Sequence, residues 1–339
     1  MPYERGEDII IGAGLEGTRG VAVAPQIWIP GRTPSGIKTE LEKKEIEETV
    51  ASGMKSQGSE ITQERANGDL ECNLKVNSIG YLLKSLLGGC SSDESEESGN
   101  EGVFIHTFTL DTNVEAPSLT LSLQKTIQAY RYLLSVVGSL ELDVKPDDLV
   151  VAKAEFVSKE EKEVEQFLSS FSEDDVNFRQ QDVVIKIASD LSGLDAAEAM
   201  IVKGLTLKIT SGAEGEPRVG DKKFNNILSK VREIEGSIEK SYIAKTLYDV
   251  FKLGGYQAMR IEMERSDVTL GASLHPKLKI DLSKVSFKGY DQERVLDDIV
   301  GEKIDFTAHY DESETSGIEA ILTNEIPEYI PEEESESPS

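Results

Sequence analysis

Ile9-Ile10-Ile11, followed by Gly12, Gly14 and Gly17, matches the G-x-G-x-x-G spacing that lets a backbone approach a dinucleotide pyrophosphate. That chemistry needs a helix to start at the glycines, because the helix N-terminus holds the phosphate. Gly20, Pro25, Pro30 and Pro34 follow instead, with no apolar stripe at helical spacing, so we read no nucleotide site here. His106, His275 and His309 lie far apart, each in or beside a strand pattern, and none has carboxylates at metal-ligand spacing. Cys72 and Cys90 are the only cysteines, too few for a disulfide framework or a zinc site, and Cys72 reads as a small core residue. The acidic runs near Asp93, Asp174 and Glu332 lack calcium-loop spacing and read as solvated acid. With no serine elbow and no Walker loop, we expect no catalytic residue, no metal and no cofactor. A hydrolase using two carboxylates is the catalytic alternative, and no aromatic-lined cleft motif supports it.

The 339 residues fit about two domains. Acidic residues number 63 against 36 basic, a formal charge of −27. That excludes a duplex-binding surface and adhesion to anionic membranes, both of which need clustered Lys and Arg. No run of about 18 apolar residues is present to span a bilayer. Met1 to Gly6 shows no apolar leader, so we expect synthesis in a reducing cytoplasm.

The elements that would position any site are mostly strands. Residues 1–36, rich in Gly and Pro, read as an N-terminal arm carrying Trp28 and Ile29. Thr39 to Thr49 alternates, and residues 51–67 read as a long excursion without an apolar stripe. Asp69 to Lys75 is a strand. Asn77 is placed to cap a helix over 78–87 whose apolar face is Ile79, Leu82, Leu83, Leu86 and Leu87, with Gly88-Gly89 as its stop. Ser91 to Gly102 reads as a solvated acidic loop. Strands follow at 104–110 and 118–123, then a hairpin from 137–144 through Lys145-Pro146-Asp147-Asp148 into 149–157. Residues 161–180 read as a linker. Strands then recur at 183–188, 201–210, 257–263, 277–287 and 303–310, with a second helix at 241–253 and an acidic tail over 313–339. The expected units are therefore 37–160 and 181–312. Each is an antiparallel β-sandwich or barrel with one flanking helix, so the fold class is mainly β.

The two units repeat. Leu70, Leu74, Ile79, Leu83 and Leu87 fall opposite Ile234, Ile238, Ile243, Leu247 and Phe251, all 164 residues on. A doubled unit suits symmetric assembly better than catalysis.

The ordered pieces resemble the major tail tube proteins of long-tailed bacteriophages. Asn67-Gly68-Asp69-Leu70-Glu71, the helix ending Leu86-Leu87-Gly88-Gly89, His106-Thr107-Phe108-Thr109-Leu110, Ala116-Pro117-Ser118-Leu119-Thr120-Leu121 and Gly138-Ser139-Leu140-Glu141-Leu142 carry the likeness. It is clear over 37–158 and weaker over 183–310. Relatives tend to show Tyr-x-Gly before the last hairpin, whereas Tyr132 here precedes Leu133-Leu134-Ser135, which implies a longer strand. The resemblance implies a virion protein, assembled in the host cytoplasm, that forms stacked rings around a lumen for DNA. It implies itself, the tail terminator, the baseplate or distal tail proteins and the tape measure as partners, and no membrane. A duplicated chain would fill a ring of six units as a trimer. Contacts between subunits or rings are expected at Trp28, Ile29, Thr49, Met54, Gln57, Ile61, Phe224, Ile227 and Leu228, and acidic side chains at lumen positions. Another self-assembling tail or baseplate component is the alternative.

Overall fold

Short runs with alternating apolar residues cannot bury themselves alone, and here they pair into antiparallel ladders. A computed structural model describes residues 5–33, 36–49, 53–172, 175–243, 245–293, 299–314 and 316–330. The first half contains β1 (Ile10–Leu15), β2 (Ile27–Ile29), β3 (Lys38–Glu45), β4 (Ser59–Asn73), α1 (Ser78–Leu87), β5 (Gly88–Glu94), β6 (Phe104–Leu110), β7 (Leu119–Gln124), β8 (Ala129–Val144), β9 (Val151–Ser158) and β10 (Glu160–Val164). The second contains β11 (Val183–Ala188), β12 (Gly204–Thr210), β13 (Glu214–Glu216), β14 (Asn226–Leu228), β15 (Glu233–Ser241), α2 (Thr246–Leu253), β16 (Gln257–Glu264), β17 (Lys277–Glu293), β18 (Gly301–Ala308) and β19 (Ile318–Asn324).

The ladders of the first half recur in the second. β1 pairs with β7, β7 with β8, and the start of β8 also with β10. Likewise β11 pairs with β16, β16 with β17, and the start of β17 also with β19. The end of β8 pairs with β9 and β9 with β4, as the end of β17 pairs with β18 and β18 with β15. Each long strand shifts register at the same place, between Val137 and Ser139 in β8 and between Phe287 and Gly289 in β17. Such a bulge bends a strand, so each long strand passes from one sheet into the other. β8 is the longer strand implied by the sequence after Tyr132, and Leu134 within it takes φ 49°.

The ladder register corrects the repeat offset. Gly68 faces Phe156, and Gly236 faces Phe306. Gly68 therefore corresponds to Gly236, and Leu70 to Ile238 rather than Ile234. The offset here is 168, which also superposes the starts of α1 and α2. An error of four residues is one helical turn and two strand periods, so it still set apolar residues against apolar ones.

α1 buries Ile79, Leu82, Leu83, Leu86 and Leu87, each stabilising by about 1.5–3 kcal/mol before chain entropy. Gly88, at φ 94°, ends it. Asn77 makes no side-chain cap bond; its backbone N–H donates to Asp175 Oδ1 at 2.7 Å. The second helix is shorter than expected, because β15 runs on to Ser241.

Other segments read as irregular are strands. β1 and β2 occupy the expected arm, β4 starts at Ser59 inside the expected excursion, β5 takes the start of the acidic loop, β10 lies in the expected linker, and β19 lies in the expected tail. Residues 331–339 of that tail lie outside the described residues. β19 interlocks the halves by pairing with β6 of the first half. Beyond it, Tyr329 packs against Gly80 of α1, where a Cβ would meet the ring at 2.0 Å. Its hydroxyl donates to the Asn77 carbonyl at 3.0 Å and accepts from Asn324 Nδ2 at 2.7 Å.

Candidate assembly surface

The end of β8 also pairs with β12, from Val144 opposite Leu205 to Ser139 opposite Thr210. This junction joins the halves into one sheet, in the order β3-β4-β9-β8-β12-β15-β18-β17. Leu70, Leu140, Leu142, Ala154, Phe156, Leu205, Leu207, Ile209, Ile238, Ile304 and Phe306 turn to the core on one face. The alternate residues make the other face, and they are polar. β4 supplies Asp69 and Glu71, β8 Glu141 and Asp143, β9 Glu155, β15 Glu235 and Glu239, β18 Asp305, and β17 Asp291. Against these stand Lys38, Lys153, Lys208 and Lys303.

The lysines are placed in rows. Glu71 lies opposite Lys153, Lys153 opposite Glu141, and Glu141 opposite Lys208. In the second half Glu239 lies opposite Lys303, with 3.2 Å between the charged groups, and Lys303 opposite Asp291. Opposite charges facing each other across strands stabilise a ladder by about 0.2–1 kcal/mol a pair.

Beyond the β4–β9 ladder, β3 and the first residues of β4 form a hairpin arm, exposed over Leu41–Glu45 and Ser59–Thr62 and held at its base where the Glu64 N–H donates to the Lys222 carbonyl at 2.8 Å. Leu41 and Ile61 are half exposed and Met54 is 76% exposed. Thr49 and Gln57 are exposed near its tip, where Gln57 Nε2 donates to the Glu48 carbonyl at 2.8 Å.

The remaining expected contact residues are spent inside the chain. Ile29 is buried in the core, and Trp28 packs edge-on against Phe167 at 5.8 Å. That leaves little of either side chain for a neighbour. Phe224 covers Gly215 between β13 and β14, Ile227 is buried against Ala116, Leu134 and Val136 of the first half, and Leu228 is half buried. The hairpin β13–β14 is tied down by the Arg19 guanidinium, which donates to the Ala116 and Ile227 carbonyls and to Asn226 Oδ1. Lys223 Nζ reaches Glu160 at 2.6 Å. Burial pushes the Glu160 carboxyl up, but Lys223 and Lys162 outweigh it and hold the group below its ordinary range.

The residues suited to chemistry serve packing. Gly12 and Gly14 lie in β1 where residues 23–28 cross over it, and a Cβ on either would meet Pro25 or the Ala24 carbonyl. Glu16, buried at the end of β1, accepts from the Gly20 and Leu134 N–H groups and the Ser118 and Thr120 hydroxyls. His106 bridges Ser92 and Asn324, His275 Nδ1 lies 2.6 Å from the Val268 carbonyl, and His309 lies 2.6 Å from Ser286 Oγ. Burial pushes the Cys72 thiol up to about 12, which suppresses the nucleophilic thiolate. Among the described residues no group of His, Cys, Asp and Glu could hold a metal ion, and no helix is long and apolar enough to cross a membrane.

One motif escaped the sequence reading. Arg5-x-x-Asp8 before β1 and Arg179-x-x-Asp182 before β11 each form a single 3-10 turn closed by the same Arg–Asp pair. The repeated R-x-x-D spacing was the available sign.

No curated protein matches the chain. Matching solved structures include the crystal structure of an Hcp protein, 13% identical, with a TM-score of 0.26 over 41% of this chain and 96% of that one. A model of the phage tail tube protein family matches residues 6–308, which takes in the ladder plan of both halves apart from β19, and the sheet that joins them. By that match the chain belongs to the phage tail tube protein family and is a structural protein of the virion tail.

Proposed function

We propose that the chain builds the hollow tail tube as stacked rings, three copies to a ring, each copy supplying two similar tandem units. The observation that carries this reading is the β8–β12 junction, which sets two versions of one ladder plan edge to edge in a single sheet. Two units joined head to tail make one third of a closed ring of six, and heterologous contacts that close give rings. Closure also pairs the sheet edges that would otherwise invite aggregation. In this reading the polar face of the sheet lines the lumen. Its excess of carboxylates repels the phosphates of passing DNA, so the DNA moves without being gripped.

The arm at 38–65 reaches an adjacent copy or the next ring with Leu41, Met54 and Ile61, and Thr49 and Gln57 sit at its tip. The tail terminator, baseplate or distal tail proteins and tape measure meet the tube at its ends and in its lumen, and rings form in the host cytoplasm. Native mass spectrometry of isolated rings tests the copy number: three chains are expected, and six would refute the trimer. Deleting residues 52–64 removes the tip and the second strand of the arm, with the Glu64–Lys222 tie, and spares the β4–β9 ladder, which begins at Ala66. That variant should stay folded and soluble but form no tubes. Tubes from it would overturn the role given to the arm.

A further inference from the structure

The first half completes a four-member charge row, Glu71, Lys153, Glu141 and Lys208, and the last member comes from the second half. The second half repeats the first three members as Glu239, Lys303 and Asp291, and there its ladder stops. By the repeat, the missing fourth member stands where Lys208 stands in β12. β12 lies beside β15 as β3 lies beside β4. Lys208 faces Glu235, Lys38 faces Asn67, and Asn67 corresponds to Glu235 at the 168 offset. The position of Lys208 in the second unit is thus the position of Lys38 in the first.

We infer that the outer edge of β17 pairs antiparallel with the outer edge of β3 in a second copy of this chain, setting Asp291 opposite Lys38 of that copy. The inference rests on the ring reading above and adds the register. Among the described residues β3 has a strand neighbour on one side only, β4, and the end of β17 likewise has only β18. Lys38 and Asp291 are both exposed on the polar face. Among the described residues neither has an ion-pair partner. On the core face the register sets Thr39 opposite Tyr290 where Ile209 meets Leu140 within the chain, and Ile37 opposite Gln292 where Leu207 meets Leu142. The row then reads acid, base, acid, base across the new junction as it does across the old one.

A Lys38→Cys/Asp291→Cys double variant, made in a Cys90→Ser background, is assembled, checked for tubes by microscopy, oxidised, and run on a non-reducing denaturing gel. Facing strand residues lie within disulfide reach, so a covalent ladder ending at three chains is expected. A ladder ending at six chains keeps the junction and overturns the three-copy ring. Tubes without cross-links overturn the junction, and cross-linking of a Glu40→Cys/Asp291→Cys control in its place overturns the register. Charge exchange gives a readout that does not depend on oxidation. Lys38→Glu and Asp291→Lys should each raise the concentration needed for polymerisation by roughly up to five-fold, and the double exchange should restore it. Failure of that restoration counts against the pairing.

Discussion

Replacing Tyr329 tests whether residues beyond β19 belong to the fold of the first half. The side chain is 1% exposed and wedged between Gly80 of α1 and the rings of Tyr81, His106 and Phe108. Tyr329→Phe removes only the hydroxyl, leaving the Asn77 carbonyl with its intrahelical bond alone and Asn324 Nδ2 with the Val76 carbonyl alone, at 3.2 Å. An unsatisfied buried group costs about 1–3 kcal/mol, and the remaining bonds put the loss toward the lower end. Tyr329→Ala also empties the space under α1, and deleting a large buried aromatic costs about 3–5 kcal/mol. Urea unfolding of the unassembled chain, followed by near-ultraviolet circular dichroism, reads both variants. With a urea slope of about 3 kcal/mol per molar, the alanine variant should unfold about 1–2 M earlier and the phenylalanine variant should fall between it and wild type. An alanine midpoint equal to wild type would refute the reasoning, since it would mean that residues 318–330 do not hold α1 in place.

Glu16→Gln should lower stability by about 1–3 kcal/mol at neutral pH, because an amide cannot accept from all four donors around that position. Burial raises the Glu16 carboxyl above 4.5, against the pull of those donors. A raised carboxyl gains stability as the pH falls, so the margin of wild type over the variant should widen from above the raised value down to 4.5; urea midpoints at neutral and mildly acid pH check the sign. Arg260 holds buried Asp281 with bonds of 2.6 and 2.9 Å. Arg260→Met leaves that carboxylate with Lys279 alone, 3.5 Å away, so the cost should fall toward the lower end of the roughly 3–5 kcal/mol of an unpaired buried charge, and a double change with Asp281→Leu should recover most of the loss in thermal unfolding. Arg19→Ala removes three of the bonds that hold the β13–β14 hairpin on the first half, so trypsin should cut faster at Arg218 and Lys222; an unchanged cleavage rate would show that Ile227 and the Lys223–Glu160 pair dock it without Arg19.

Where apolar residues recur at helical or strand spacing, the sequence announced the element. α1 and the alternating strands β7, β9 and β18 lie close to where periodicity put them. The misses have physical causes. β10 and the first part of β4 are solvated on both faces, so no apolar alternation marks them. β19 does alternate, through Ile318, Ala320 and Leu322, but acidic neighbours hid it. β1 carries glycines because another segment crosses it closely, and close approach to a pyrophosphate would use the same residues. The assembly surface was least legible. Its charge row is built from residues of β4, β9, β8 and β12, far apart in sequence, and only the ladder registers bring them into line. The expected contacts at Trp28, Ile29 and Ile227 followed from apolar character in loop-like segments, and their own half or the other half of the chain takes up those side chains.

The pairing of β6 with β19 sets an order of events during synthesis. The hairpin edge at Phe104–Leu110 has no partner strand until Ile318–Asn324 leaves the ribosome, and α1 keeps a hole beside Gly80 until Tyr329 follows. Contacts this distant in the chain form late. The first half is therefore complete only when nearly all of the second exists. A nascent chain or a truncated product would carry an open hairpin edge and an uncovered helix, and it would enter a growing tube poorly. β19 thus ties completion of the first half to the presence of the second.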